Sequence, residues 1–133
     1  MIGVVLVSHG RLAEEFMTVI EQIVGKQPQM AAVGMAPNDN MEDRRNDILS
    51  KIKDVDTGHG VIVLTDMFGG TPSNLAISLL DKLPIEVVAG FNLPMLIKLC
   101  AARKTMDLKK TVQETQDAGK RYIHVASQIL TGE

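Results

Sequence analysis

The chain has 133 residues, 45% of them hydrophobic and 23% charged, enough for one compact domain with a sizeable core and too few for a second. A net charge of -2 excludes the basic field that nucleic acid or an anionic membrane surface would require. The single cysteine, Cys100, lies in an apolar helix-like segment, so the chain can build neither a disulfide framework nor a thiolate metal site, and a reduced, cytoplasmic setting is expected.

The first apolar run, 2–7, has no basic leader and is too short for a signal segment or a membrane span, so a soluble, unexported protein is expected. It reads as a strand and passes directly into SHGRLAEEF. A helix over 11–24 follows, with Phe16, Ile20, Ile23 and Val24 on one face and Gly25 as its stop. Residues 30–35 give a second strand. The PNDN run at 37–40 offers Asn and Asp caps for a helix over 41–53, which buries Ile48, Leu49 and Ile52. A third strand at 61–65 leads through GGTPSN into a helix for which Thr71 is a good N-cap, with Pro72 at the first helical position. A fourth strand at 85–89 precedes a helix that starts after Asn92 and carries Leu96, Leu99 and Cys100. A fifth helix, between 106 and 117, is expected to end at Gly119. The alternation of strands and helices predicts an α/β fold built on a parallel sheet. The tail at 121–127 alternates like a strand, but no crossover follows it, so an antiparallel edge strand is expected there.

Two strand ends look alike. LVSHG, residues 6–10, and LTDMFGGTPSN, residues 64–74, each finish on a small hydroxyl residue followed by an ionisable one. If both strands are central and parallel, His9 and Asp66 emerge at one edge of the sheet, where open α/β sheets bind their ligands. A carboxylate on one imidazole nitrogen fixes the tautomer and leaves the other nitrogen as a nucleophile. Gly69 and Gly70 permit close backbone approach, and Thr71 brings a hydroxyl to a helix N-terminus, where anions are favoured. His59 between glycines and His124 in the tail are weaker candidates. Asp39 with Glu42, and Asp43 with Asp47, read as helix-start charges and a solvated face. Without clustered Cys or His, the sequence offers no metal site.

VSHGRLAEEF, DMFGGTPSN and GFNLPML at 90–96, in that order and spacing, resemble the enzyme IIA component of the mannose-type branch of the bacterial sugar phosphotransferase system, across essentially the whole chain. The resemblance implies that His9 is the phosphorylated histidine, that Asp66 holds its ring and that Thr71 contacts the phosphoryl group. Threonine stands where the family often has serine, which keeps the hydroxyl. The resemblance also implies an open sheet of four parallel strands, completed in a homodimer by a C-terminal strand exchanged between subunits. HPr would be the phosphoryl donor and an enzyme IIB protein the acceptor. Phe68 and Arg11 would belong to the rim where they dock. Fused relatives continue into a IIB domain, so a chain ending at Glu133 is expected to be a single IIA domain that serves a separate IIB protein. Such a relay needs positioning and electrostatics, and neither metal nor cofactor.

Two rival readings use the same residues. A histidine phosphatase or mutase also places His before Gly after its first strand, but those enzymes resemble an Arg-His-Gly pattern with a second histidine, whereas Ser8 precedes His9 here. A regulatory module that signals through its phosphorylation state is the other. The resemblance implies that sugar specificity lies in membrane components.

Overall fold

A computed structural model describes residues 1–132. Among them the chain forms, in order, β1 (Gly3–His9), α1 (Leu12–Val24), β2 (Met30–Met35), α2 (Met41–Val55), β3 (Val61–Thr65), α3 (Thr71–Ile77), β4 (Ile85–Ala89), α4 (Leu93–Ala102), α5 (Leu108–Arg121) and α6 (Ala126–Thr131). The four strands make one parallel sheet in the order β2-β1-β3-β4, as expected. β1 and β3 are therefore central, and the order reverses between them. In this topology the crevice at the carboxyl ends of those two strands is the natural ligand site.

The sheet is covered on both faces, which is why its strands read as continuous apolar runs. On one face Val4, Leu6, Ile62 and Leu64 pack with Ile20 of α1 and with Leu96 and Leu99 of α4, with Val112 of α5 outside them. On the other, Val5, Val7, Val33 and Val63 pack with Ile48 and Ile52 of α2 and Ala76 of α3. This parity reaches the end of β1. Ser8 falls on the α1 side and His9 on the α3 side. The helix starts follow local chemistry: Asn40 Oδ1 accepts from Asp43 N at 3.0 Å, Asn92 Oδ1 from Met95 N at 3.0 Å, and Asp107 Oδ1 from Lys110 N at 2.8 Å. Among the described residues no helix is long and apolar enough to cross a membrane.

Several sequence expectations need correction. β1 continues two residues beyond Val7, so His9 is the last residue of the strand itself. Thr71 does not cap α3. Gly70 is the N-cap and Thr71 the first helical residue, with no side-chain cap, while Ser73 Oγ reaches back from the first turn to accept from Gly69 N and donate to the Gly70 carbonyl. Gly119 does not stop α5, which runs on to Arg121. A Cβ at Gly119 would lie 2.6 Å from Met95 Cε, so this glycine serves the close packing of α5 on α4.

The edge strand expected at 121–127 is absent from this chain. Arg121 ends α5, Tyr122 to Val125 are irregular and α6 begins at Ala126. Alternation assigns faces but supplies no hydrogen-bonding neighbour, and a helix satisfies its backbone without one. The tail leaves Tyr122, Ile123, Val125, Ile129 and Leu130 exposed.

Candidate active site

The register of β1 on β3 pairs Val7 with Thr65, so the residues that follow, Ser8 with His9 and Asp66, leave the sheet side by side. Asp66 Oδ2 accepts two hydrogen bonds from His9, one from the backbone amide at 2.9 Å and one from ring Nδ1 at 2.8 Å. Asp66 Oδ1 accepts from Met67 N at 3.0 Å. Burial pushes the Asp66 carboxyl up, but the His9 amide and ring hydrogen bonds and the His9 charge outweigh it, so its net pKa lies below the ordinary aspartate value. An ionised carboxylate can only accept, so the proton of the neutral imidazole sits on Nδ1 and the lone pair on Nε2. The Asp66 side chain is 10% exposed and that of His9 53%, which puts the charge inside and the nucleophile at the surface.

The ring is held from its other side by backbone. A Cβ at Gly70 would meet His9 Cε1 at 2.9 Å and Nε2 at 3.3 Å, closer than carbon atoms pack. Only glycine lets the start of α3 approach Nε2 this closely. Gly69, at φ 88, makes the preceding turn, and its amide donates to Ser73 Oγ at 3.0 Å. Exchanging each glycine for alanine separates the two roles. Gly70→Ala should displace the imidazole and move its Hε1 and Nδ1 NMR resonances. Gly69→Ala should leave those resonances in place and cost about 1–3 kcal/mol in chemical unfolding through backbone strain. Unmoved His9 resonances in Gly70→Ala would refute the close approach.

Thr71 and His9 line one cavity of about 500 Å³, together with Met35, Pro37, Met41 and Pro72. Phe68, 76% exposed, stands near the site, and Arg11 pairs with Glu14 and Glu15 in the first turn of α1. The structure thus gathers His9, Asp66, Gly69, Gly70 and Thr71 at one sheet edge and leaves Phe68 and Arg11 exposed around it. His59 lies at the opposite end of the sheet, just before β3, and His124 is in the exposed tail. Neither gives the second histidine that the phosphatase reading requires.

Two serines were not singled out by the sequence reading. Ser8 Oγ, buried, accepts from Ala13 N at 2.7 Å and ties the end of β1 to the first turn of α1. Ser73 braces the Gly69–Gly70 turn, its Oγ accepting from Gly69 N and donating to the Gly70 carbonyl at 3.1 Å. A serine inside a helix start, where it competes with the backbone for hydrogen bonds, was the available signal. Met35 and Met41 carried none, because only the β1–β2 pairing sets Met35 opposite His9 and only the packing of the fold brings Met41, at the start of α2, to the same cavity.

Comparison with known proteins is consistent with this geometry. The family profile described as "PTS system fructose IIA component" matches residues 3–116. The "PTS system mannose-specific EIIAB component" of Escherichia coli (strain K12) is 34% identical over 103 residues, covering 77% of this chain and 32% of that protein. This chain therefore spans about a third, 32%, of the length of that relative. The "PTS system sorbose-specific EIIA component" of Lacticaseibacillus casei is 28% identical over 129 residues, 96% of this chain and 93% of that one. Among solved structures, the "Mannose/sorbose specific IIA subunit of phosphotransferase system" from Enterococcus faecalis superposes with a TM-score of 0.84 at 28% identity, covering 93% of each chain.

Proposed function

Because the chain belongs to the family of mannose- and fructose-type IIA components of the sugar phosphotransferase system, we propose that it is a phosphoryl carrier whose acceptor atom is His9 Nε2. The carrier protein HPr is the donor and an enzyme IIB protein the acceptor. The observation that supports this reading most is the 2.8 Å contact between His9 Nδ1 and Asp66 Oδ2, with Nε2 left at the surface beside Gly70.

In the forward step the Nε2 lone pair attacks phosphorus while the bond from phosphorus to the donor breaks on the opposite side. Nδ1 keeps its proton throughout. The ring becomes cationic as the N–P bond forms, and the ionised Asp66 balances that charge where it develops. The backbone at Gly69 and Gly70 and the Thr71 hydroxyl face the incoming oxygens. The same geometry run in reverse returns the group to IIB, and positioning and electrostatics carry the step. Phe68 and Arg11 form the exposed rim at which both partners dock. Incubation with phosphoenolpyruvate, enzyme I and HPr, followed by mapping of the labelled residue, tests the assignment. Label on any residue other than His9 overturns it.

Thr71→Val removes the hydroxyl at nearly constant volume. The expected result is a phosphorylated state that forms or decays several-fold differently while the circular dichroism spectrum stays unchanged. An unaltered rate and lifetime would remove Thr71 from the site.

The working unit is proposed to be a homodimer in which the C-terminal segment of one copy covers the β4 edge of the other. Supporting this are the exposed apolar tail and a cavity of about 410 Å³ between β4 and α5, bordered by Val87, Val112 and Ile123. Sedimentation at micromolar concentration should give a dimer, and a monomer throughout that range excludes this assembly. The transfer from HPr to IIB is proposed to take place in the cytoplasm.

A further inference from the structure

The cavity beside His9 has two walls. Thr71 and Pro72 form one, at the turn that Ser73 braces, and Met35, Ala36, Pro37 and Met41 form the other. The second wall begins where β2 ends. Met35 is the register partner of His9, and its carbonyl accepts from Gly10 N at 2.7 Å.

After Met35 the chain reverses in a turn over 36–39, closed by Asp39 N donating to the Ala36 carbonyl at 3.1 Å. Pro37 takes the second position of that turn, which its fixed φ suits. The Asp39 carboxylate closes the turn a second time, its Oδ2 accepting from Ala36 N at 2.8 Å. One residue thus holds both backbone polar groups of Ala36. Arg44, near the start of α2, secures the carboxylate from the helix: its Nη1 lies 3.8 Å from Asp39 Oδ2 and its Nη2 3.1 Å from Asp47 Oδ2. The Arg44 and Asp39 side chains are 29% and 27% exposed, so this pair is less screened by water than a free surface pair. Ala36, Pro37 and Asn38 are themselves exposed and belong to neither core cluster. A segment with so little buried apolar contact opens easily unless polar contacts hold it. Asp39 supplies those contacts, while capping of α2 is left to Asn40.

We propose that Asp39 is a positioning residue for the phosphoryl relay: by clasping the 36–39 turn it keeps the Met35–Met41 wall in the form that the phosphorylated donor protein fits. The proposal rests on the carrier reading. His9 lies in this cavity, so a protein that brings phosphorus to Nε2 covers the wall beside it. Asp39 does not line the cavity, and its effect therefore falls on docking and not on chemistry at the ring. When the docking-competent form is only fractionally populated, apparent affinity falls by that fraction. Loosening the turn raises the donor concentration needed for transfer and spares the rate at saturation.

The test is single-turnover transfer to wild type, Asp39→Ala and Asp39→Asn over a range of phosphorylated HPr concentrations. It is run beside labelling by phosphoramidate, a small donor that needs no protein docking; its N–P bond breaks, ammonia leaves and the phosphoryl group passes to His9 Nε2. In Asp39→Ala the half-saturating HPr concentration is expected to rise about five- to tenfold. The limiting rate and the phosphoramidate rate should stay at wild-type values, and exchange of the Ala36 amide with solvent should quicken. Asp39→Asn keeps an oxygen for the Ala36 amide and removes only the charge, so it should recover most of the lost affinity. Asp39 lies outside both core clusters, so each variant should fold, which circular dichroism checks. An unmoved half-saturating concentration or an unaltered Ala36 exchange rate in Asp39→Ala would overturn the proposal. So would a slower phosphoramidate reaction, which places the effect on His9, or equal impairment in Asp39→Asn, which assigns it to charge alone. Wild type left unlabelled at His9 by phosphorylated HPr is instead a failure of the carrier reading.

Discussion

Replacing His9 with alanine is expected to abolish labelling by phosphorylated HPr while the protein remains folded. The expectation of complete loss rests on the placement of the other two histidines. His59 sits at the amino end of β3, and His124 in the exposed tail, so neither shares the carboxylate and close backbone that surround His9. The expectation of a preserved fold rests on exposure: with 53% of its side chain in solvent, His9 contributes little core packing. Its truncation also leaves Asp66 hydrogen-bonded to the His9 backbone amide and to Met67. Phosphoryl transfer from labelled phosphoenolpyruvate, checked against far-ultraviolet circular dichroism, reads both halves. A folded variant labelled at the normal rate would show that another residue is the acceptor.

Asp66→Ala is expected to slow transfer by about a hundredfold, within the range found when the partner that orients a functional histidine is removed. Two effects add. The ring loses the acceptor that fixes its proton on Nδ1 and its rotamer against Gly70. The cationic phosphoimidazole loses the negative charge beside it. Asp66→Asn, which preserves shape but not charge, should recover part of the orientation and none of the charge, and so fall between the two. Equal rates for wild type and Asp66→Ala would reject both roles.

The same carboxyl makes a pH prediction whose sign is set by its lowered pKa. A carboxylate with a depressed folded-state value contributes stability that is fully present above its unfolded pKa. That contribution is lost only as pH falls through the folded value. The stability gap between wild type and Asp66→Asn should therefore persist at mildly acidic pH and close below the ordinary aspartate range. Denaturant melts across that window measure it.

Much of the fold was legible because its determinants are local. Asn92 and the apolar positions Leu96, Leu99 and Cys100 mark α4 within a span that a single helix face and cap explain. The four apolar runs marked the strands, and their alternation with helices required a parallel sheet. The failures came where a local signal was overridden by its surroundings. Gly119 reads as a helix stop, yet in α5 it is an interior contact with Met95, a fact held in a residue 24 positions away. Thr71 reads as a cap, yet it is the first helical residue of α3 behind an uncapped Gly70, and it lines the cavity beside His9.

What the sequence determined by itself was the inventory: a strand leading into Ser8 and His9, a second ending before Asp66, and a glycine turn leading into a helix. These follow from side-chain periodicity and from backbone preferences that act over a few residues. That His9 and Asp66 meet was decided only by the tertiary structure, since they are separated by 57 positions and their 2.8 Å contact depends on the register of β1 on β3. The same holds for the buried Arg103, whose guanidinium gathers carbonyls from 74 to 101 positions away. The tail at 121–127 shows the opposite limit. Its alternating pattern is real, but a strand exists only where a neighbour supplies the other half of its hydrogen bonds, and in the single chain those residues close α5 and begin α6 instead.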